Sequence, residues 1–522
     1  MGRKTALKTQ VLIIGGGVTG TGLARDLALR GLSCIIVDKQ DVNAGASGAN
    51  QGLLHSGARY VASDPSSARE CRLENKRLRQ LAPQCIEDTG GLFVALKGDD
   101  EAYLADFAKR CEACGIKASA IDLKDAHEME PALSQDTIAV FAVNDATIDP
   151  FKLSLDNLAQ ARQLGTRLLR HHKVVGFQKH LQKIVSVAVL NTRTSQEVTI
   201  EADQIVNAAG AWTAQIAALA GAQVDMVYSK GSLLISQLRI SQRVINHMRL
   251  PSDGDILVPA GTVSIFGTTS VSIDTPDLCR PTPSEIDTML AEGIGMLPKL
   301  ANARFIRAYA GVRPLVKVSD TLNDRSISRG FALFSHEEEG LSNFISITGG
   351  KLTTYRLMAE KTADLVAKRL GIFKPCRTDT EPLPASNEAR WTEPGLTPKL
   401  WYPKNDPGDL LLCECEMVPT SVFNEITQSL AQQGSRASLR EIGQRSRVGK
   451  GPCQGTFCSL RMTAHMYNQG ILKGAEGVSE LKDFLNERWR GMQSLLWGSA
   501  LSHSELQEAL HCGLFGLEID EK

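Results

Sequence analysis

An unbroken apolar run, Val11-Leu12-Ile13-Ile14, is followed by Gly15-Gly16-Gly17-Val18-Thr19-Gly20 and then by apolar positions at helical spacing over 18–30. A short apolar run bounded by glycines fits a strand buried on both faces; recurrence every three or four residues fits a helix. A second run, Cys34-Ile35-Ile36-Val37, ends at Asp38, so the N-terminus predicts strand, helix, strand. Further helices are predicted over 67–82, 99–114 and 150–164, with segments over 85–150 alternating between strand and helix. Alternating strands are predicted over 171–200, and strand-rich sequence over 223–275. Two more apolar strands, at 205–209 and 344–348, run into glycine turns at Gly210 and at Gly349-Gly350, the second leading to a helix over 354–370. From 375 to 407 the chain holds seven prolines and little periodicity, which predicts a linker of limited flexibility. Helices over 421–433 and 439–446 follow.

The first of these units has a chemical meaning. A G-x-G-x-x-G turn between a strand and a helix, with an acid at the end of the next strand, is the dinucleotide fingerprint in its required context. Gly15 permits the tight turn, Gly17 lets the backbone approach a pyrophosphate, and Gly20 lets helix and strand pack closely. The anion then meets the free N–H groups and dipole of a helix N-terminus. Asp38 is placed to accept from the ribose hydroxyls.

Four cysteines near the C-terminus form two close pairs, Cys413-Glu414-Cys415 and Cys453-Gln454-Gly455-Thr456-Phe457-Cys458, with Gly449, Gly451 and Gly455 around the second. Convergent thiolates without a secretory context indicate a metal centre more than disulfides. Structural zinc favours two to four residues between paired ligands, so a C-x-C and a C-x4-C pair lean toward an iron–sulfur cluster. A zinc clip or an empty module is the alternative. Cys111-x-x-Cys114 lies on a predicted helix with no second pair nearby and reads as packing.

Composition changes this picture little. The chain has 522 residues, with 58 Lys plus Arg against 58 Asp plus Glu, so nothing in its charge suggests nucleic acid. No apolar stretch approaches the ~20 residues of a membrane span. The N-terminal apolar run merges into the fingerprint and lacks a cleavage site, so it reads as a strand rather than a signal peptide. Twelve cysteines then suggest a reducing compartment and mostly free thiols.

Longer motifs carry a resemblance. The fingerprint, Gly52-Leu53-Leu54-His55-Ser56-Gly57-Ala58-Arg59-Tyr60, Ala310-Gly311-Val312-Arg313-Pro314-Leu315 and Gly349-Gly350-Lys351-Leu352-Thr353-Thr354-Tyr355-Arg356 resemble the FAD-dependent glycerol-3-phosphate dehydrogenases. The cysteine module, similar to a bacterioferritin-associated ferredoxin domain, and Phe484-Leu485-Asn486-Glu487-Arg488-Trp489 resemble the anaerobic bacterial branch. The resemblance implies an α/β, two-domain FAD-binding flavoprotein, Rossmann-like and of the D-amino-acid-oxidase/glutathione-reductase type, with a substrate-domain sheet and a small C-terminal Fe–S domain. The expected division is 1–374 for the oxidoreductase, 375–408 for the linker, 409–465 for the [2Fe–2S] domain and 466–522 for a helical extension.

The resemblance further implies oxidation of sn-glycerol 3-phosphate to dihydroxyacetone phosphate. FAD would be held by Gly15, Gly17, Gly20, Asp38, Ser47, Gly210, Gly350 and Leu352, and a [2Fe–2S] cluster by Cys413, Cys415, Cys453 and Cys458. Electrons would pass to a second catalytic subunit (B), to a membrane-anchoring iron–sulfur subunit (C) and then to quinone, with FMN as a further flavin of the complex. The location implied is peripheral, on the cytoplasmic face of the bacterial inner membrane.

Secondary-alcohol oxidation needs a base for the hydroxyl proton and cations for the phosphate. His55 is the natural base, since imidazole titrates near neutrality, with Arg313 and Lys351 as catalytic partners. Arg59 and Arg329 are cationic candidates because guanidinium forks match phosphate oxygens, and Tyr60 and Lys230 line the pocket by resemblance. Without it, the same histidine reads as a local hydrogen-bonding residue and the arginines as ion-pair partners. Leu233 departs from the aerobic branch, where histidine follows Lys-Gly-Ser, so that polar contact is either absent or supplied from elsewhere. Two other readings compete: dehydrogenation of another hydroxy acid or an amine, and a non-enzymatic flavin and cluster relay.

Overall fold

A computed structural model describes residues 6–277, 279–316, 330–434, 436–514 and 516–517. The predicted unit is present as β1 (Leu7–Ile14), α1 (Val18–Leu29) and β2 (Cys34–Val37), with β1 and β2 parallel. Strand Glu197–Asn207 lies parallel on the other side of β1 and carries Phe344–Gly349 parallel on its C-terminal half. Arg167–Leu169 extends the parallel sheet beyond β2, and an antiparallel hairpin, His172–His180 with Lys183–Asn191, extends the opposite side.

The unbroken apolar runs follow from burial on both faces. Val11 and Ile13 pack with Leu23, Leu27, Leu158 and Met358 of the helices on one face. Leu12 and Ile14 point the other way, into a core with Val189, Ile205 and Ala217. Side chains alternate across a strand, so each apolar position has a core to enter.

A second, nine-stranded sheet forms the substrate side. It takes strands from the predicted 223–275 region, three from 91–143, and Phe305–Val316, which pairs antiparallel along the whole of Met226–Ser236. Acidic caps set the helix starts, moving the first by two residues and leaving the second at the predicted Pro150. Asp64 accepts the Ser67 amide and starts the helix Pro65–Leu81; Asp149 accepts from Phe151 and Lys152 and starts Pro150–Gln163.

The proline-rich segment is a fastened strap. Leu383 donates its amide to the Leu81 carbonyl, Ser386 donates to Asp156, Thr392 donates to Asp149, and Trp391 is buried. Beyond it, Leu412, Val418, Phe423, Ile442, Met462 and Phe484 make a separate core that includes Cys413 and Cys458. Buried ion pairs join this module to the rest: Glu441 with Arg170, His171 and Arg193, and Arg445 with Asp41. Among the described residues no helix is long and apolar enough to cross a membrane. Cys111 and Cys114 are buried beside Phe107, Tyr103 and Ile116, as packing residues should be.

Candidate functional site

The nucleotide cradle is built by close approach. A Cβ on Gly20 would fall 2.0 Å from the Gly15 carbonyl oxygen, and one on Gly15, where φ is +113°, would fall 2.5 Å from the Ala208 carbonyl oxygen. Gly17 faces Ser47, whose hydroxyl accepts the Val18 amide at 3.0 Å, so the loop after β2 closes over the start of α1. Asp38 accepts from the Gly16 amide at 2.7 Å and the Gln40 amide at 2.8 Å, which fixes its carboxylate at the turn. Burial pushes that carboxyl up, and the two amides oppose the shift. Gly210 opens a 3-10 turn after Glu197–Asn207 and is held by Thr348, which donates to its carbonyl. Gly350, with φ +70°, and Leu352 lead into the helix Tyr355–Arg369. The donor set suits an FAD pyrophosphate and ribose: a glycine turn, a helix N-terminus and an acid.

The substrate-side candidates fall into two groups. His55, Arg59, Tyr60 and Lys351 come together where the loop after β2 meets the turn before Tyr355–Arg369. The His55 amide donates to Thr353 Oγ1 at 3.1 Å, and its Nε2 lies 3.4 Å from the Tyr60 hydroxyl. Lys351 Nζ stands 4.6 Å from the Tyr60 ring centroid. Burial, with the Lys351 and Arg59 charges, pushes the His55 pKa down to about 3, so its imidazole is neutral at physiological pH. That value is well below the neutral range that makes histidine a natural base: the ring is free of a proton but weakly basic while both cations face it. Arg59 Nη2 pairs with the buried Asp255 at 2.7 Å.

Arg313 belongs to the second group, on the strand Phe305–Val316. That strand presses on the flavin loop: Tyr309 donates to the Asn50 carbonyl at 2.8 Å, and a Cβ on Gly311 would lie 2.2 Å from the Ala49 carbonyl oxygen. Arg313 donates through Nη1 to the Thr269 carbonyl at 3.0 Å and through Nη2 to Thr268 Oγ1. Its guanidinium lies against Gly231, where a Cβ would meet Nη2 at 2.4 Å.

Lys230, which the resemblance implies lines the pocket, turns its ammonium to partners within the fold. Its ammonium pairs with Glu285 at 3.0 Å and donates to the Arg280 carbonyl at 2.8 Å, so its charge is spent inside the fold. Strand alternation is the reason: Arg313 lies opposite Ser229 in the register, and Lys230 turns toward the helix Pro283–Met296. Leu233 is buried in the sheet. Arg329 lies outside the described residues.

The cysteine quartet is brought together. The Cys413 and Cys458 thiols interact, Cys458 also meets Cys453, and Cys453 meets Cys415. Cys413 is pulled down by the Cys458 thiol and by the Glu416 and Gly449 amides. Cys453 is pulled down by Cys415, by Cys458 and by the Gly455 and Phe457 amides. A Cβ on Gly451 would fall 2.5 Å from the Cys415 Cβ. All four are free cysteines; Cys415 is exposed, and Cys413 and Cys458 are buried. Among the described residues no group of three or more His, Cys, Asp or Glu side chains is arranged to hold a metal ion. Amide hydrogen bonds to cysteine sulfurs are among the features that tune the potential of an iron–sulfur centre where one is bound.

Residues 10–365 match the FAD dependent oxidoreductase family. The chain is 42% identical to the A subunit of the anaerobic glycerol-3-phosphate dehydrogenase of Escherichia coli K12, across 100% of this chain and 99% of that protein. This chain belongs to the anaerobic glycerol-3-phosphate dehydrogenase A-subunit family. It is an FAD-dependent oxidoreductase. It is also 37% identical to the A1 subunit of the anaerobic enzyme of Haloferax volcanii, across 98% of this chain and 91% of the other. Its fold is that of the FAD-complexed glycerol-3-phosphate dehydrogenase of Bacillus halodurans, with a TM-score of 0.55 at 21% identity over 98% of this chain and 91% of that one. The glycine oxidase of Geobacillus kaustophilus gives a TM-score of 0.58 at 19% identity over 73% of this chain and 100% of that one.

Several residues that build the site of this dehydrogenase were not among the site candidates read from the sequence. Thr353, Thr268 and Thr269 hold His55 and Arg313. Glu74, buried on Pro65–Leu81, takes Arg356 through two bonds of 2.7 Å and so locks the helix that follows Lys351. The Gly349–Arg356 motif contains Thr353 and Arg356, and the Lys230-Gly231-Ser232 motif points to Arg313 through its glycine rather than its lysine; Thr268, Thr269 and Glu74 lie in neither.

Proposed function

We propose that this chain oxidises sn-glycerol 3-phosphate to dihydroxyacetone phosphate. The observation that carries the reading is the grouping of His55, hydrogen-bonded to Tyr60, with the cations Arg59 and Lys351 beside the flavin loop. His55 takes the C2 hydroxyl proton on a ring nitrogen, with Tyr60 orienting the ring. FAD, when bound, supplies the two-electron acceptor for the C2 hydride. Arg59, Arg313 and Lys351 hold the phosphate, and Arg329 remains a further cationic candidate. The fold alone does not choose the substrate, since glycine oxidase shares it. A phosphate dianion calls for more cations than an amine or a carboxylate, and full-length similarity to relatives of that name supports the same choice.

The test is anaerobic addition of glycerol 3-phosphate to the FAD-loaded chain. Flavin absorbance should bleach with this substrate and not with glycine or a 2-hydroxy acid. No bleaching at millimolar substrate sinks the proposal.

Cys413, Cys415, Cys453 and Cys458 would hold a [2Fe–2S] cluster, which supplies a one-electron exit. The amides of Glu416, Gly449, Gly455 and Phe457 steady the thiolates for it. Electrons then go to a second catalytic subunit, next to a membrane-anchoring iron–sulfur subunit, and on to quinone at the cytoplasmic face of the membrane, with FMN elsewhere in the complex. Iron and sulfide analysis with EPR tests the assignment. Cys413→Ser should lose the EPR signal while glycerol 3-phosphate still bleaches the flavin; equal loss of both makes the module structural.

A further inference from the structure

The hairpin loop that follows Val244–His247 ends in a carboxylate with an unusual set of partners. Asp255 is fully buried. Its Oδ1 accepts from Arg249 Nε at 2.9 Å, and its Oδ2 from the Ser252 amide at 2.6 Å. Its backbone carbonyl accepts the His247 amide at 2.9 Å, which pins the residue to the start of the next strand. The remaining contact crosses to the flavin side, where Arg59 Nη2 donates to Oδ2 at 2.7 Å. On the other arm of the same guanidinium, Nη1 is buried and has no hydrogen-bond partner among the described residues.

A buried guanidinium N–H without a partner has lost its hydration with nothing in return, and an anionic oxygen is what it lacks. Arg59 sits in the 3-10 turn Ala58–Tyr60, next to Tyr60, whose hydroxyl lies 3.4 Å from His55 Nε2. The unpaired arm therefore belongs to the same locus as the proposed base. Asp255 grips one arm and leaves the other open.

We propose that Asp255 is a positioning residue for substrate: it fixes the Arg59 fork so that Nη1 meets an oxygen of the substrate's phosphate. This rests on the glycerol 3-phosphate reading above and adds the residue that sets the geometry of one anchor. Two effects of the carboxylate oppose each other. Its charge offsets that of Arg59 and weakens long-range attraction for a dianion, while its grip aligns the donor. The fixed geometry makes alignment the larger effect, because a guanidinium released into the pocket loses orientation and pays side-chain entropy on binding.

The test compares wild type, Asp255→Asn, Arg59→Ala and the double variant in the FAD-loaded full chain, following anaerobic flavin reduction by glycerol 3-phosphate. Asp255→Asn should raise KM by about tenfold or more and leave kcat within about twofold, the split expected when a binding contact is lost. In the Arg59→Ala background the same change should alter KM by less than about twofold, since its effect passes through Arg59. Asp255→Glu, which keeps the charge and lengthens the arm, guards against a folding failure of the asparagine variant and should raise KM several-fold. An unchanged KM in Asp255→Glu or Asp255→Asn overturns the proposal. So does a lower KM in Asp255→Asn, which makes the carboxylate a charge damper, and so do additive effects in the double variant. Wild-type protein that glycerol 3-phosphate fails to reduce overturns the functional reading instead.

Discussion

Replacing Gly231 by alanine separates the geometry of the substrate pocket from the stability of the sheet that carries it. The new Cβ would fall 2.4 Å from Arg313 Nη2, 2.7 Å from its Cζ and 2.8 Å from its Nη1. Ordinary contact begins near 3.4 Å, so the guanidinium must retreat by about 1 Å, away from Thr268 and the Thr269 carbonyl. The three nearest atoms all belong to the far end of a flexible side chain, which is what must move. Unfolding stability should therefore change by less than about 1 kcal/mol, helped by the lower chain entropy of alanine. A displacement of about 1 Å at an orienting group costs on the order of 100-fold, or ~2.7 kcal/mol, in kcat/KM. Stopped-flow flavin reduction by glycerol 3-phosphate measures this, with urea unfolding as the control. A kcat/KM within about threefold of wild type, with the fold intact, refutes the role given to Arg313.

Three further outcomes are expected. The His55 pKa falls from 6.5 to about 3 on folding, so between those values the unfolded chain binds a proton that the native chain does not, and stability rises with pH across that window. Chemical unfolding from about pH 5 to 7.5 should show this slope reduced in His55→Gln, and the acid limb of kcat/KM should lie below the ordinary imidazole range. Glu441→Ala leaves Arg170, whose side chain is 1% exposed, buried without its carboxylate; it should cost about 3–5 kcal/mol, read by denaturant unfolding. Gly20→Ala sets a methyl 2.0 Å from the Gly15 carbonyl oxygen and should abolish FAD retention through gel filtration, and a variant that keeps stoichiometric flavin contradicts the cradle as described.

The parallel core was legible because its signals are local. Val11 to Val37 spells strand, glycine turn, helix and strand in consecutive residues, and both faces of β1 are buried, so the apolar run is unbroken. The caps were readable in principle: the helix after Asp149 starts at Pro150 as predicted, and the one after Asp64 starts at Pro65, two residues earlier than the apolar spacing suggests. The second sheet was less legible. It gathers strands from 91–143 and 305–316 around those of 226–273, and no local period says which strands will pair. The proline-rich strap looked independent of the domains it joins because its anchors, Leu81, Asp149 and Asp156, are distant in sequence.

The sequence by itself determined the chemistry on offer: a dinucleotide turn, a histidine and tyrosine in one loop, arginines and lysines in motifs, and four paired cysteines. These are matters of residue type and short spacing, which backbone geometry converts directly into turns, helix ends and donor sets. Only the tertiary structure decided which charges remain for a ligand. Lys230 is neutralised by Glu285, Arg59 keeps one arm free because Asp255 holds the other, and His55 is neutral because burial and two cations make its charged form unfavourable. Those outcomes depend on Coulomb interactions and desolvation between residues far apart in the chain, and these exist only once both sheets have closed around the site.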